Sequence, residues 1–235
     1  IGAWADSSKN KSVFDAMARK VVLASQIRQH AEEQRQLKRQ SNAIANSVMP
    51  SKLKECELAG ADGSELLICE GDSACGQLVK ARDARYQAVL PVRGKSINAY
   101  KTKAAKLMQN AEVQMMIKAL GAGWGKDFNV DKMRYSRVIF ATDADYDGYH
   151  IQDLLLLIFW TLFKPAVDSG RVYISIPPLY EIKMRGVDKI IPIVTDSDLE
   201  EFKKKQLLDG KKENKDYTVN RNKGLGENEA DVLWD

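Results

Sequence analysis

Three aspartates at alternate positions, Asp143, Asp145 and Asp147, closed by Gly148, follow directly on the apolar run Val138-Ile139-Phe140-Ala141. Carboxylates packed this closely repel one another, and a bound divalent cation relieves the repulsion. For oxygen ligands the candidates are magnesium, manganese and calcium. A second acidic signal lies upstream, where the short apolar run Leu66-Leu67-Ile68-Cys69 ends in Glu70-Gly71-Asp72-Ser73-Ala74. Two strands delivering carboxylates from their C-terminal ends would bring Glu70, Asp143 and Asp145 to one edge of a parallel sheet. Open α/β sheets bind their ligands there.

Two look-alike motifs fail on their own requirements. The acidic run imitates the first half of an EF-hand loop, but the twelfth position, which needs a bidentate glutamate, is Leu154, and the preceding segment reads as a strand rather than a helix. Gly94-Lys95-Ser96 imitates the end of a phosphate-binding P-loop, yet the position that needs the first glycine holds Val89. A solvated acidic turn is the bland alternative, and the second acidic strand end argues against it.

The elements that must position these groups are legible as an alternation. A polar helix is expected over about 13–40, opened by Ser12 and Asp15 as a capping box. Its charged half, with Arg35, Lys38 and Arg39, serves either as a solvated face or as an arm toward DNA phosphates or a partner. A connector over 41–64 contains Pro50, Gly60 and Gly63. Strands then follow at 65–69, 87–90, 137–142 and 171–176, with helical stretches at 74–82, 101–120 and 150–163. Such alternation implies a parallel sheet with right-handed crossovers. The tail, 179–235, mixes short strands at 180–183 and 189–194 with a charged helix at 196–208 and ends in Arg221-Asn-Lys223-Gly224-Leu225-Gly226-Glu227. The expected organisation is an N-terminal helix and connector over 1–64, a metal-binding domain over 65–178 and a tail over 179–235.

Composition narrows the class. The 235 residues are 44% hydrophobic, enough for a real core, and the net charge of +4 permits nucleic-acid binding without demanding it. The three cysteines, Cys56, Cys69 and Cys75, lack paired metal-ligand spacing, so a structural zinc site is not expected. An odd cysteine count and the lack of a recognisable targeting peptide point to a reducing cytoplasm. The most apolar stretch, Leu154–Phe163, is about half the length a bilayer requires and reads as a buried helix. The N-terminus reads as a loose lead-in, and the ending soon after Lys223-Gly-Leu-Gly-Glu reads as a truncation.

Glu70-Gly-Asp72-Ser-Ala, Pro91-Val-Arg93-Gly-Lys95, Asp143-Ala-Asp145-Tyr-Asp147-Gly-Tyr-His150 and Arg221-Asn-Lys223-Gly-Leu-Gly-Glu occur in this order. Together with Ile117-Lys-Ala-Leu-Gly-Ala-Gly and Ile176-Pro-Pro-Leu-Tyr180, they make residues 38–235 resemble the Toprim region of type IIA DNA topoisomerases, most of all the B subunits of DNA gyrase and topoisomerase IV. The resemblance implies an α/β Toprim fold, a Rossmann-like parallel sheet flanked by helices, with an N-terminal helix and a small α+β tail. It implies that Glu70, Asp143 and Asp145 hold a catalytic Mg²⁺, which Mn²⁺ or Ca²⁺ can replace, with Asp147 binding a second ion or supporting the first. Arg93, Lys95 and Lys223 would act at the cleavage centre or on DNA phosphates. Asp72, Ser73, Arg93, Lys95 and His150 would lie near DNA or near the pocket taken by fluoroquinolone-class drugs. The nucleophilic tyrosine would belong to an A-type partner subunit in a heterotetramer, and the ATP-hydrolysing domain would lie outside this chain. No membrane association is implied, and the location is the cytoplasm of a bacterial or virus-infected cell.

The chain departs from the bacterial pattern. Cys75 stands where the family has a glycine, Val92 where it has leucine, and Asn222 and Asn228 where it has tyrosine and methionine; Tyr146 and Tyr149 replace smaller residues. None of these changes removes an expected metal ligand, and they mark a divergent member. Two alternatives stay open at this point: another Toprim nuclease or primase, and a non-catalytic nucleic-acid-binding module whose acidic turn holds a structural cation.

Overall fold

The computed structural model describes residues 10–46, 48–187 and 190–222. Four strands, β1 (Glu65–Glu70), β2 (Gln87–Val92), β3 (Arg137–Ala141) and β4 (Val172–Ile174), form a parallel sheet in the order β2-β1-β3-β4. The four inner residues of β1 are all buried, as expected of a central parallel strand covered on both faces. On one face, Leu66, Ile68, Leu90, Val138 and Phe140 meet the helices α4 (Ala111–Leu120) and α5 (Tyr146–Leu162) in the main core. A run of tilted and edge-to-face rings, Phe140–Phe159–Phe163–Phe128, with centroids 4.9–5.4 Å apart, fills that layer. On the other face, Leu67, Cys69, Val89 and Ala141 pack under α2 (Gly71–Ala81) through Ala74, Cys75 and Leu78.

Several boundaries differ from the sequence expectation for identifiable reasons. Helix α2 starts at Gly71, not 74, because the strand feeds straight into it through a left-handed glycine, Gly71 at φ +71°. The stretch 101–120 divides into α3 (Ala104–Leu107) and α4, since Asn110 caps α4 by accepting the Val113 N–H. Strand β2 runs on through Pro91 and Val92; it is the edge strand, where proline is tolerated. Its outer side is covered by the connector, whose Lys54 pairs with Val89 through two backbone hydrogen bonds of 2.8 and 2.9 Å. Strand β4 is three residues long, and a short helix α6 (Lys164–Asp168) precedes it.

The N-terminal helix α1 (Lys11–Asn46) extends beyond both expected ends, and Ser12 lies inside its first turn rather than capping it. Its far end is held by Leu37 and Ile44 in the core and by the Trp124 indole N–H on Ser41. Most of the helix is exposed, Arg35, Lys38 and Arg39 included. The connector is anchored by Glu55, which accepts from the buried Tyr135 hydroxyl at 2.5 Å and from Arg134 at 2.6 Å. Burial and this carboxylate push the Tyr135 phenol well above its usual range.

After the sheet, β5 (Tyr180–Met184), β6 (Ile190–Ile193) and β7 (Tyr217–Arg221) form a separate antiparallel sheet in the order β6-β5-β7. The helix α7 (Asp196–Leu208), opened by a capping box between Thr195 and Asp198, contributes Leu199 and Phe202 to a small core around Ile182, Ile193 and Tyr217. Among the described residues no helix is long and apolar enough to cross a membrane.

Candidate metal centre and phosphate-facing edge

The chain leaves β1 for β2 on one side and returns to β3 on the other, so the strand order switches direction between β1 and β3. Ligands of open α/β sheets sit at such a point, outside the C-terminal strand ends. The register sets the groups in line there. Glu70 is paired with Val92 of β2, one residue before Arg93, and Cys69 is paired with Ala141 of β3, two residues before Asp143. A basic corner from β2, a glutamate from β1 and the aspartates after β3 thus lie side by side on one edge.

The electrostatics confirm that these carboxylates feel one another. Glu70 is pushed above the usual carboxylate range, first by burial and then by Asp143, Asp145 and Asp147, while Lys95 opposes the shift. Lys95 Nζ lies 2.9 Å from Asp147 Oδ1, and this pairing holds the Asp147 carboxyl below its usual value and raises the lysine. Arg93 faces Asp72 at a looser 3.5 Å. Both pairs are well exposed and add little to stability.

Asp145 has a second task. It is the N-cap of α5 and accepts the Gly148 N–H on Oδ1 at 2.7 Å, a favourable place for a carboxylate at a helix N-terminus. Because α5 opens at Tyr146 rather than at 150, Asp147 and His150 project from its first turns, both exposed, as are Tyr146 and Tyr149. Asp72 and Ser73 likewise sit in the first turn of α2, exposed beside Glu70. Gly148 is buried because α5 presses against the acidic loop: a Cβ there would fall 2.9 Å from the Asp143 carbonyl carbon and 3.0 Å from its nitrogen. The helix start and the loop that carries Asp143 are therefore one packed unit.

Among the described residues, no three His, Cys, Asp or Glu side chains converge into a ready-made metal cage. By chemistry the donor set nevertheless fits a hard divalent cation, because burial and then the three aspartates raise the proton affinity of Glu70 and only oxygens are offered. Asp147 is turned to Lys95, and Oδ1 of Asp145 accepts from the start of the helix. Glu112, in the first turn of α4, was not anticipated from sequence. Its carboxyl is pushed up by burial and held down by Lys52 and by the backbone N–H and charge of Arg93, so it lies against the basic corner. An acidic residue in the first turn behind the Asn110 cap was the available signal.

A cleft of about 450 Å³ opens beside the acidic loop, lined among others by Thr142, Asp143, Tyr149, Ser175, Leu179 and Asp196. Asn222 is tied to its far wall by hydrogen bonds to the carbonyls of Leu179 and Pro178 at 2.9 and 3.1 Å. Lys223 and the glycines after it lie outside the described residues.

One consequence is testable on the metal-free chain. Glu70 has a raised folded-state value, so its protonated form favours the fold and that contribution is lost as pH rises through the folded value. Glu70→Gln is expected to melt higher than the parent at pH 7 in chelator, with the gap closing as pH falls into the carboxylate range. Thermal unfolding across pH measures this; a variant that melts lower at pH 7 contradicts the repulsion.

Comparison with known proteins gives a consistent picture. The Toprim domain family model matches residues 65–177. The DNA gyrase B subunit of Thermotoga maritima is 40% identical over 232 residues, covering 96% of this chain and 35% of the relative. That of Thermus thermophilus is 38% identical over 231 residues, covering 97% and 35%, and that of Spiroplasma citri is 41% identical over 205 residues, covering 87% and 31%. The chain spans about a third of the length of the curated relatives it matches.

Proposed function

The chain belongs to the Toprim family, in the version carried by the B subunits of DNA gyrase, and from that premise we propose that it is the metal-binding part of a type II DNA topoisomerase. In this proposal it assists cleavage and resealing of both DNA strands by a tyrosine on an A-type partner, in the cytoplasm, with ATP hydrolysed by a domain outside this chain. The observation that carries it is that Glu70 and the Asp143–Asp147 loop lie side by side at the switch point of the sheet, where burial and then the three aspartates push Glu70 up. Similarity to gyrase B subunits across nearly the whole chain, and not only residues 65–177, favours this over another Toprim nuclease or a primase.

Glu70, Asp143 and Asp145 would hold Mg²⁺, with Asp147 in support. When bound, the ion stabilises charge on the scissile phosphate and on the leaving 3′-oxygen. Lys95 and Arg93, on the adjoining corner, would fix DNA phosphates, and their present partners Asp147 and Asp72 keep them poised there without strong pairing. Lys223 would reach the same centre from the tail. Catalysis of this kind rests on positioning and electrostatics rather than on a shifted catalytic base.

Cation binding by the chain itself is the test. Calorimetric titration with Mn²⁺ is expected to show at least one carboxylate-dependent site that Asp143→Asn weakens by about tenfold or more, comparable with loss of one charged ligand. Equal affinity in parent and variant would remove Asp143 from the site.

A further inference from the structure

We propose that Cys69 and Cys75 form a reversible dithiol–disulfide site that clamps the turn presenting Glu70. The cleavage chemistry uses neither sulfur, and the sequence expectation was of reduced thiols. In this structure the two are bonded, six residues apart in sequence, with Cα atoms 5.8 Å apart. That separation lies inside the roughly 4.4–6.8 Å that a disulfide needs. Cys56 is a free buried thiol within the main core on the opposite face of the sheet, so the pairing is selective.

The bond joins the penultimate residue of β1 to the second turn of α2 and spans Glu70, Gly71 and the first helical turn. Besides the loose Arg93–Asp72 pair and the packing of Ala74, the turn has few ties among the described residues. Glu70 occupies the N-cap position without a side-chain hydrogen bond to the helix, and around Gly71 a Cβ would meet nothing within 4 Å. Both sulfurs sit in the small cluster with Leu67, Ala74, Leu78, Val89 and Ala141, so the exchange proceeds with the first turns of α2 opened. Cys75, on the helix that opens, is taken as the attacking thiol. Its thiolate attacks a low-molecular-weight disulfide and expels one thiol; the Cys69 thiolate then displaces the second thiol from Cys75 Sγ. Two electrons and two protons pass from the protein to the small disulfide, which leaves as two thiols. In a reducing compartment the pair is open, and oxidation closes it into the geometry described here. Cys75 stands where the family pattern has glycine, so this clamp is a property of the divergent chain.

Only the consequence for Glu70 rests on the proposed function; the bond does not. The intact chain would be treated with oxidised glutathione, denatured, alkylated and weighed, with amide hydrogen exchange followed on a parallel sample. The expected result is one alkylated cysteine, Cys56, a joined Cys69–Cys75 peptide, and three alkylated cysteines after dithiothreitol. Amides over Gly71–Cys75 are expected to exchange about tenfold slower in the oxidised form, and Cys75→Gly to exchange alike under both conditions. Three alkylated cysteines after oxidation, a bond involving Cys56, or equal exchange in the two forms would overturn the proposal. Neither readout involves a cation, so failure here leaves the metal centre standing, and failure of the metal centre leaves these results intact.

Discussion

Asp143→Asn is expected to reduce DNA cleavage by the reassembled enzyme by about 10³-fold or more, while the chain keeps its fold. A cation that stabilises a phosphoryl transition state supplies several kcal/mol, and about 4 kcal/mol corresponds to 10³ in rate. Asn keeps the shape of Asp143 and loses only the charge, at a partly exposed position on the sheet edge. Glu70→Gln is expected to lose cleavage to a similar extent even though it stabilises the metal-free chain. Opposite signs for stability and activity at one residue are what a strained ligand set produces. Single-turnover cleavage of supercoiled plasmid, alongside circular dichroism and thermal melting, separates the two effects. Cleavage within tenfold of the parent, or loss of folded signal in Asp143→Asn, would count against a metal-holding role.

Gly148→Ala is expected to be the most damaging single-methyl change on this edge. The added Cβ would press on the backbone of Asp143, with the carbonyl carbon at 2.9 Å and the nitrogen at 3.0 Å. The backbone there cannot swing aside as a flexible side chain would, and overpacking of this kind costs about 1–3 kcal/mol. For a chain of this size that corresponds to a fall in Tm of roughly 2–12 °C. The same shift would tilt the first turn of α5, break the Asp145 cap on the Gly148 N–H and misplace Asp143, so cleavage should fall with stability. Gly76→Ala on α2 is the control, since a Cβ there meets nothing within 4 Å. In a helix interior it is expected to be neutral or stabilising by up to about 1 kcal/mol. Equal melting of Gly148→Ala and the parent would mean that the loop yields easily.

The central strands and the acidic edge were legible in the sequence because each rests on local pattern. Leu66–Cys69 and Val138–Ala141 are apolar runs of strand length, and each ends in carboxylates. Helix starts were less legible. Tyr146–Tyr149 lacks apolar periodicity, so the pattern opens α5 only at 150; the signal for the earlier start is Asp145 as an N-cap, seen structurally in its bond to the Gly148 N–H. Gly71-Asp72-Ser73 reads locally as loop, whereas the tight strand-to-helix passage makes it the first turn of α2. Strand β7 was swallowed by the polar tail because its existence depends on pairing with β5, more than 30 residues away in sequence. The present partners of Asp145 and Asp147, the Gly148 N–H and Lys95, are likewise a matter of rotamers, on which spacing is silent.

In the proposed function these carboxylates support DNA cleavage by a partner's tyrosine, and detergent-trapped plasmid cleavage in Mg²⁺ tests it most directly. The full-length protein containing this chain would be assayed with and without the A-type partner, as parent and as Glu70→Gln. The account predicts double-strand breaks with protein on the 5′ ends, seen only with the partner and lost in Glu70→Gln. Nicks with free ends, made without the partner, would contradict it.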